Sequence, residues 1–257
     1  SDGYAADADG SLFRLTGEAF DLKMNAVQWQ TGQDTNNDGF PDNYSNITNN
    51  TIAKHFITEQ PLVEPLLKAP TPGTQGTLEA MITSPFSDTG SLSESISQYS
   101  YDQVGIIDLT AGLQDADYFG AGDVKGELYN VGRFAPSQFQ VVGVQAAAKC
   151  TQYGSNLTYL DQPFELGFTV QAQNQNGVLM ANYKEGFDKS SVDVNAENNE
   201  VGNYVPSTNF ASRLVNLGNN NWGDISDGQW QMSQINTTLQ RLGVGQADGP
   251  FAMVSLM

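Results

Sequence analysis

The sequence predicts an all-β protein built as two tandem β-sandwich domains. Three observations predict it: a segment with two-residue hydrophobic alternation occurs twice, many short strand-like runs are separated by turn residues, and helical periodicity is weak throughout. The first copy opens Gly17-Glu18-Ala19-Phe20-Asp21-Leu22, and the second, 144 positions on, opens Asp161-Gln162-Pro163-Phe164-Glu165-Leu166. Phe20, Leu22, Met24 and Ala26 alternate with Asp21, Lys23 and Asn25, and Phe164, Leu166, Phe168 and Val170 repeat the pattern. Alternation at period two puts one set on a buried face and leaves the other to water, as a half-buried antiparallel strand requires. Each copy then passes through a Gly-bearing polar turn to Asn43-Tyr44 or Asn182-Tyr183, which reads as an internal duplication.

From Phe to Tyr the first copy takes 24 residues and the second 19, so the first carries about five extra. They fall in Asp34-Thr35-Asn36-Asn37-Asp38-Gly39-Phe40-Pro41-Asp42. Calcium is a hard cation that takes six to eight oxygens, and short oxygen-bearing side chains at alternate positions of a tight loop converge on one point. Asp34, Asn36 and Asp38 are candidate side-chain ligands, Phe40 offers its carbonyl, and Asp42 binds directly or through water; Gly39 allows the sharp turn. An EF-hand is incomplete here, because Ser45 stands where the bidentate Glu belongs and no helical pattern flanks the loop. The alternative is a polar hairpin loop without metal, since Asn, Asp and Gly are ordinary turn formers. Asp7-Ala8-Asp9-Gly10, and Asp115-Ala116-Asp117 with Asp123, are weaker clusters that read as solvated turns.

The remaining elements follow in order. Ser45 to Thr51 is polar, and Ile52 to Thr58 is strand-like. Gln60 to Gly73 carries Pro61, Pro65, Pro70 and Pro72 and is expected to be a loop that packs down through Leu62, Val63, Leu66 and Leu67. Thr77 to Thr83, Leu92 to Tyr101 and Val104 to Leu113 read as strands. Val131 to Phe139, with a Gly, a Pro and two aromatics, reads as a join, which places a first domain at 1–131 and a second at 132–257. Within the second, Gln138 to Val144, Phe164 to Ala172 and Gln229 to Leu239 are strands, the last with Trp230 and Met232 on one face. Asp188 to Asn209 and Gly218 to Asn221 are polar loops, and short helical turns are expected at Ser190 to Ala196 and Phe210 to Leu214.

Composition narrows the function. The 257 residues carry 29 acidic and 11 basic side chains, a net charge of -18, with no Lys/Arg cluster, which disfavours nucleic acid and anionic membrane surfaces as partners. Only 16% of residues are charged, and the abundance of Asn, Gln, Ser, Thr and Gly is typical of exported bacterial surface modules. Cys150 is the single cysteine, so stability rests on core burial and on metal if any, and the thiol is expected to be buried or idle. No apolar run is long enough to span a bilayer, and the opening Ser1-Asp2-Gly3 suits a mature product or an excised piece.

Several motifs resemble a known family. Gly132-Arg133-Phe134-Ala135-Pro136-Ser137-Gln138-Phe139, Cys150, Tyr159-Leu160-Asp161-Gln162-Pro163-Phe164, Ala172-Gln173-Asn174 and Asn182-Tyr183 resemble the C-terminal region of the MshQ family. Tyr101-Asp102-Gln103-Val104-Gly105, Asp115-Ala116-Asp117-Tyr118-Phe119-Gly120 and Asp248-Gly249-Pro250-Phe251 resemble the same region, so the likeness spans nearly the whole chain as scattered short motifs. That family belongs to the mannose-sensitive haemagglutinin (MSHA) type IV pilus system. The resemblance implies an exported, pilus-associated adhesin or minor pilus component whose partners are other domains of the parent protein or pilin subunits. The Asp34 to Asp42 insertion lies outside it.

No catalytic signature is present: there is no Gly-x-Ser-x-Gly, no His-Glu-x-x-His and no phosphate-binding Gly-rich loop. His55, the one histidine, sits in Lys54-His55-Phe56 and is expected to be structural, and among 29 acids some pair always satisfies a glycosidase separation, so that signal is nearly empty. For glycan binding, Trp29, Trp222, Trp230, Tyr99, Tyr101, Tyr118 and Tyr204 are the candidates, most of them expected in the core. Trp222 is the exception, a ligand-binding candidate because turn formers surround it in Asn221-Trp222-Gly223-Asp224. The reading is therefore an extracellular, immunoglobulin-like two-domain module with bound Ca2+ and no catalysis, the alternative being a calcium-dependent glycan-binding module.

Overall fold

The computed structural model describes residues 3–36, 38, 40–90, 92–147, 157–192, 194, 196–198, 210–215, 227–243 and 254–256. Fourteen strands occur in it: β1 (Arg14–Leu15), β2 (Ala19–Asn25), β3 (Pro61–Ala69), β4 (Leu78–Ile82), β5 (Ser87–Asp88), β6 (Ser93–Tyr101), β7 (Gly105–Leu113), β8 (Gly126–Ala135), β9 (Gln138–Ala147), β10 (Phe164–Gln173), β11 (Ala196–Asn198), β12 (Leu214–Val215), β13 (Gln229–Leu239) and β14 (Val254–Leu256). Among the described residues helix is limited to 3-10 turns, as at Tyr44–Ile47 and Ala211–Arg213, and no helix is long and apolar enough to cross a membrane. The chain is all-β.

By contacts the chain forms two units, residues 1–138 with 172–187, and residues 139–171 with 188–257. In the first unit one sheet has the order β1-β8-β7-β3 and the other β2-β6-β4, with β5 also on β6. Their apolar faces meet in one core. Phe20, Tyr99 and Tyr101 come from the second sheet, and Val63, Ile107, Leu109, Val131 and Phe134 from the first. Phe134 lies within 5.1 to 5.7 Å, centroid to centroid, of the rings of Phe13, Phe20 and Tyr101, in the edge-on and tilted geometries that aromatic pairs prefer. In the second unit the order β12-β13-β10-β9 is antiparallel where β10 and β12 meet β13, and β11 pairs antiparallel with β14. Val170 sits opposite Trp230 and Phe168 opposite Met232, which puts Trp230 and Met232 on one buried face as the alternation predicts.

Three expectations are corrected. The Pro-rich segment is not a loop: Pro61–Ala69 runs antiparallel to β7 as the edge strand of its sheet. An edge strand tolerates proline when the missing N–H faces away from the ladder. The N–H of Leu67, which has the same parity as Pro61 and Pro65, bonds the Gln75 side chain at 2.6 Å instead of β7. Val131 to Ala135 is not a join either, since it is the buried second half of β8. Gly132 permits this, because at φ +150° a Cβ there would lie 2.9 Å from the Gly105 carbonyl oxygen. Ile52 to Thr58 contributes only a bridge from Ile52 to Val27, after which the chain turns, with the Phe56 N–H on Ala53 O at 2.9 Å.

β6 inverts a simple hydrophobic reading. Ser93, Ser95 and Ser97 face the interior while Ile96 is 49% exposed. Tyr99, paired with Phe20, and Tyr101 hold this register, and the serines are satisfied: Ser95 Oγ donates to Ser84 O at 2.6 Å and Ser97 Oγ accepts from Ser84 N–H at 3.1 Å.

Candidate metal centre

The duplicated strands are both present, yet the chain leaves them differently. After β10, Asn174 closes a tight turn by accepting the N–H groups of Asn176 and Val178, each at 3.0 Å, and Met180 N–H returns to Ala172 O at 2.8 Å. After β2 the chain makes a long excursion and closes only at Thr51 to Ala53, where Gln28 N–H meets Thr51 O at 2.8 Å and Ala53 N–H meets Ala26 O at 2.9 Å. The Asp34 to Asp42 segment lies inside this excursion. Its base is braced by amides: Gln33 Oε1 accepts from Gln30 N–H and Asn50 Nδ2, both at 2.7 Å, and Asn50 Nδ2 also donates to Gln28 O at 2.8 Å.

Three of the candidate ligands meet at one backbone donor. Asp34 Oδ1 and Asn36 Oδ1 both accept the Asp38 N–H, at 3.2 and 3.1 Å. Asp38 is tied onward, with Oδ1 accepting Phe40 N–H at 2.9 Å and Oδ2 accepting Asn36 Nδ2 at 3.0 Å. Asp34 is only 9% exposed. Asp42 is held on the Thr35 side of the loop, where its Oδ2 accepts the Thr35 hydroxyl at 2.7 Å and the Thr35 N–H at 2.9 Å. Those two bonds, the hydroxyl foremost, hold its carboxyl below the ordinary 3.8. Phe40 turns its ring under Lys125, whose Nζ stands 4.6 Å from the ring centroid. Burial raises the Tyr44 hydroxyl pKa, and the charges of Glu127, Asp38 and Asp123 raise it further.

Asp34, Asn36, Asp38 and Asp42 offer oxygen donors that suit a hard cation. Among the described residues, however, no three His, Cys, Asp or Glu side chains are grouped as they would be around a bound ion. The ion pairs found there, Lys23 with Glu94 and Lys68 with Asp108, lie outside the loop. Thr35, Gln33 and Asn50 are the members that sequence reasoning misses, and only Thr35 lies within the motif.

The weaker acidic clusters act as turn caps. Asp7 Oδ1 accepts Asp9 N–H at 2.9 Å, and Asp117 accepts the N–H groups of Gly120 and Gly122 at 2.9 and 3.1 Å. Asp123 Oδ1 accepts those of Leu113 and Val124 at 2.9 and 2.8 Å. Of the aromatic candidates, Tyr99, Tyr101 and Trp230 are buried, whereas Trp29 is 49% exposed. Trp222, Tyr204 and Cys150 lie outside the described residues. His55 is exposed on the turn after Ile52.

No curated protein and no solved structure matches the chain. Two family models together cover its length, DUF6701 second domain over residues 1–102 and DUF6701 third domain over residues 103–257, so they meet between β6 and β7, inside the first contact unit. The chain belongs to the DUF6701 family.

Proposed function

We propose that this chain is a structural module of an exported, MshQ-like surface protein of the MSHA type IV pilus system, with immunoglobulin-like sandwiches, acting in attachment without catalysis. In this reading Ca2+ binds the Asp34 to Asp42 loop through Asp34, Asn36 and Asp38, with the Phe40 carbonyl and Asp42 completing the set. The observation that carries it is the convergence of Asp34 and Asn36 oxygens on one N–H inside an excursion cross-braced at its base. Calcium would replace the Asp38 N–H as the common partner of those oxygens and neutralise carboxylates that otherwise repel. The excursion would then be fixed against the sandwich, the rigidity an extracellular stalk needs. The pilus assignment rests on the motifs quoted from Gly132 to Tyr183.

Calorimetric titration of calcium into the chelator-treated protein tests the metal reading. One saturable site, lost in Asp38→Ala, supports it; heats no greater than those of the variant defeat it. A calcium-dependent glycan-binding module is the second reading, favoured by half-exposed Trp29, which follows Gln28 at the base of the excursion. A glycan array with and without chelator decides between them, since a structural stalk gives no calcium-dependent signal.

A further inference from the structure

We propose that β9 is a docking edge on which a second copy of this chain adds its own β9, antiparallel and about a two-fold axis. β9 (Gln138–Ala147) ends the sheet β12-β13-β10-β9, so one of its sides is bonded to β10 and the other faces outward. Such a side is a row of backbone N–H and C=O groups, a template for a further strand, and proteins ordinarily blunt it with proline, charge or shortness. The other described edge strands show each of these devices. β3 carries Pro61, Pro65, Glu64 and Lys68, β2 carries Asp21 and Lys23, β4 carries Glu79, and β1, β11, β12 and β14 have two or three residues each. β9 has none of them: Gln-Phe-Gln-Val-Val-Gly-Val-Gln-Ala-Ala runs for ten residues without a charge or a proline.

The strand is also open to solvent. Nine of its ten residues are exposed, Val141 at 54% and Val144 at 60%. Phe139 lies against the buried Trp230 of β13, ring centroids 5.5 Å apart, yet is itself 46% exposed, so the apolar face that β13 buries continues outward onto β9. Gly143 stands at φ +62°, and no atom lies within 4 Å of where its Cβ would be; a glycine inside a strand marks a bulge or a place where another backbone comes close. Charge selects the occupant. At -18 two copies repel across most of their surfaces, and a charge-free strand is where they approach without setting like charges opposite each other. Pairing β9 with itself is isologous and closes at two copies. The contact would run about 33 Å along the strand. Four strands from each copy would form one sheet of eight, within the roughly two to ten usual for a sheet. Val141 and Val144 of both copies would then leave water.

Sedimentation velocity of the full chain from micromolar to millimolar concentration tests it, in chelator, so that the outcome stands apart from the calcium reading. A species of twice the chain mass is expected to grow with concentration. It should tighten as salt rises, because salt screens the general repulsion while the strand contact carries no charge. Amide hydrogen exchange of the wild type locates the contact without any variant: across 138–147 it should slow as the dimer forms. Val141→Lys puts a charge on the edge of both copies at a half-exposed site and should weaken dimerisation about tenfold or more. Val141→Thr, β-branched and uncharged, should retain the dimer, as should Met81→Lys at an exposed site on β4. The proposal is overturned by a monomer at every concentration, by a dimer whose β9 amides exchange as fast as the monomer's, by a dimer that Val141→Lys leaves intact or Met81→Lys weakens equally, or by an open series of larger aggregates with no dimer step.

Discussion

Asn182→Ala is the sharpest probe of how the first unit is assembled. Asn182 is 1% exposed and lies in the segment 172–187, which belongs by contacts to that unit although the rest of β10 does not. Its Oδ1 accepts the Thr74 N–H at 2.7 Å, and its Nδ2 donates to Thr74 O at 2.8 Å and to Val104 O at 3.0 Å. One side chain thus serves three backbone groups from two distant parts of the chain. Val104 is fully buried, so truncation leaves its carbonyl without this donor, at a cost of about 1 to 3 kcal/mol, and removes two further bonds at about 1 kcal/mol each. The exposed position of Thr74 lets water recover part of the latter, so the net loss is about 3 kcal/mol. For a unit of this size that is roughly 6 to 12 °C in melting temperature. Urea unfolding followed by circular dichroism measures it. A loss under 0.5 kcal/mol for Asn182→Ala would refute the reasoning, because the network would then be carried by the backbone alone.

Other outcomes follow from single groups. Tyr101 is fully buried, its hydroxyl accepts Gly76 N–H at 3.0 Å, and burial pushes its pKa up to about 12. The folded state therefore holds this proton more tightly, so stability is unaffected below pH 10 and falls between about 10 and 12 by roughly 2 to 3 kcal/mol; Tyr101→Phe should flatten that part of a pH series while costing about 1 kcal/mol at pH 7. Gly132→Ala should cost about 1 to 3 kcal/mol by denaturant unfolding, because the added methyl meets Gly105 O in a positive-φ backbone. Thr35→Val should return the Asp42 carboxyl toward 3.8 in an NMR titration, since the hydroxyl bond is the chief cause of its depression. In the wild type that bond is lost as pH falls through the depressed value, so the loop loosens only in acid below the ordinary carboxylate range.

What was legible in the sequence depended on whether local pattern and tertiary role agreed. β2, β7, β10 and β13 follow the alternation, because in each it is reinforced by burial, whereas β4 forms with Met81 and Ile82 both exposed. β3 was hidden by its prolines, which argue against a central strand and say nothing about an edge. The second half of β8 was hidden by Gly132, read as a break when it is a point of close backbone approach. In β6 the strand was visible, but Ile96 suggests the wrong inner face; Tyr99 and Tyr101 outweigh it because they bury far more area. At the candidate centre Asp34 and Asn36 turn their Oδ1 atoms to the Asp38 N–H, while the Asp38 carboxylate accepts Phe40 N–H and Asn36 Nδ2. Nothing in the sequence pointed to Asn50, which reaches Gln33 across 17 residues, or to Lys125 over Phe40.

The central claim, that calcium fixes the Asp34 to Asp42 loop, is tested most directly by thermal unfolding of the wild type and Asp38→Ala in calcium and in chelator. With calcium at about a hundred times its dissociation constant, the wild type should gain about 2.7 kcal/mol, seen as a rise of several degrees that the variant lacks. Superimposable wild-type curves in the two buffers, or an equal rise in Asp38→Ala, would contradict the account and leave the segment a polar loop held by its own amides.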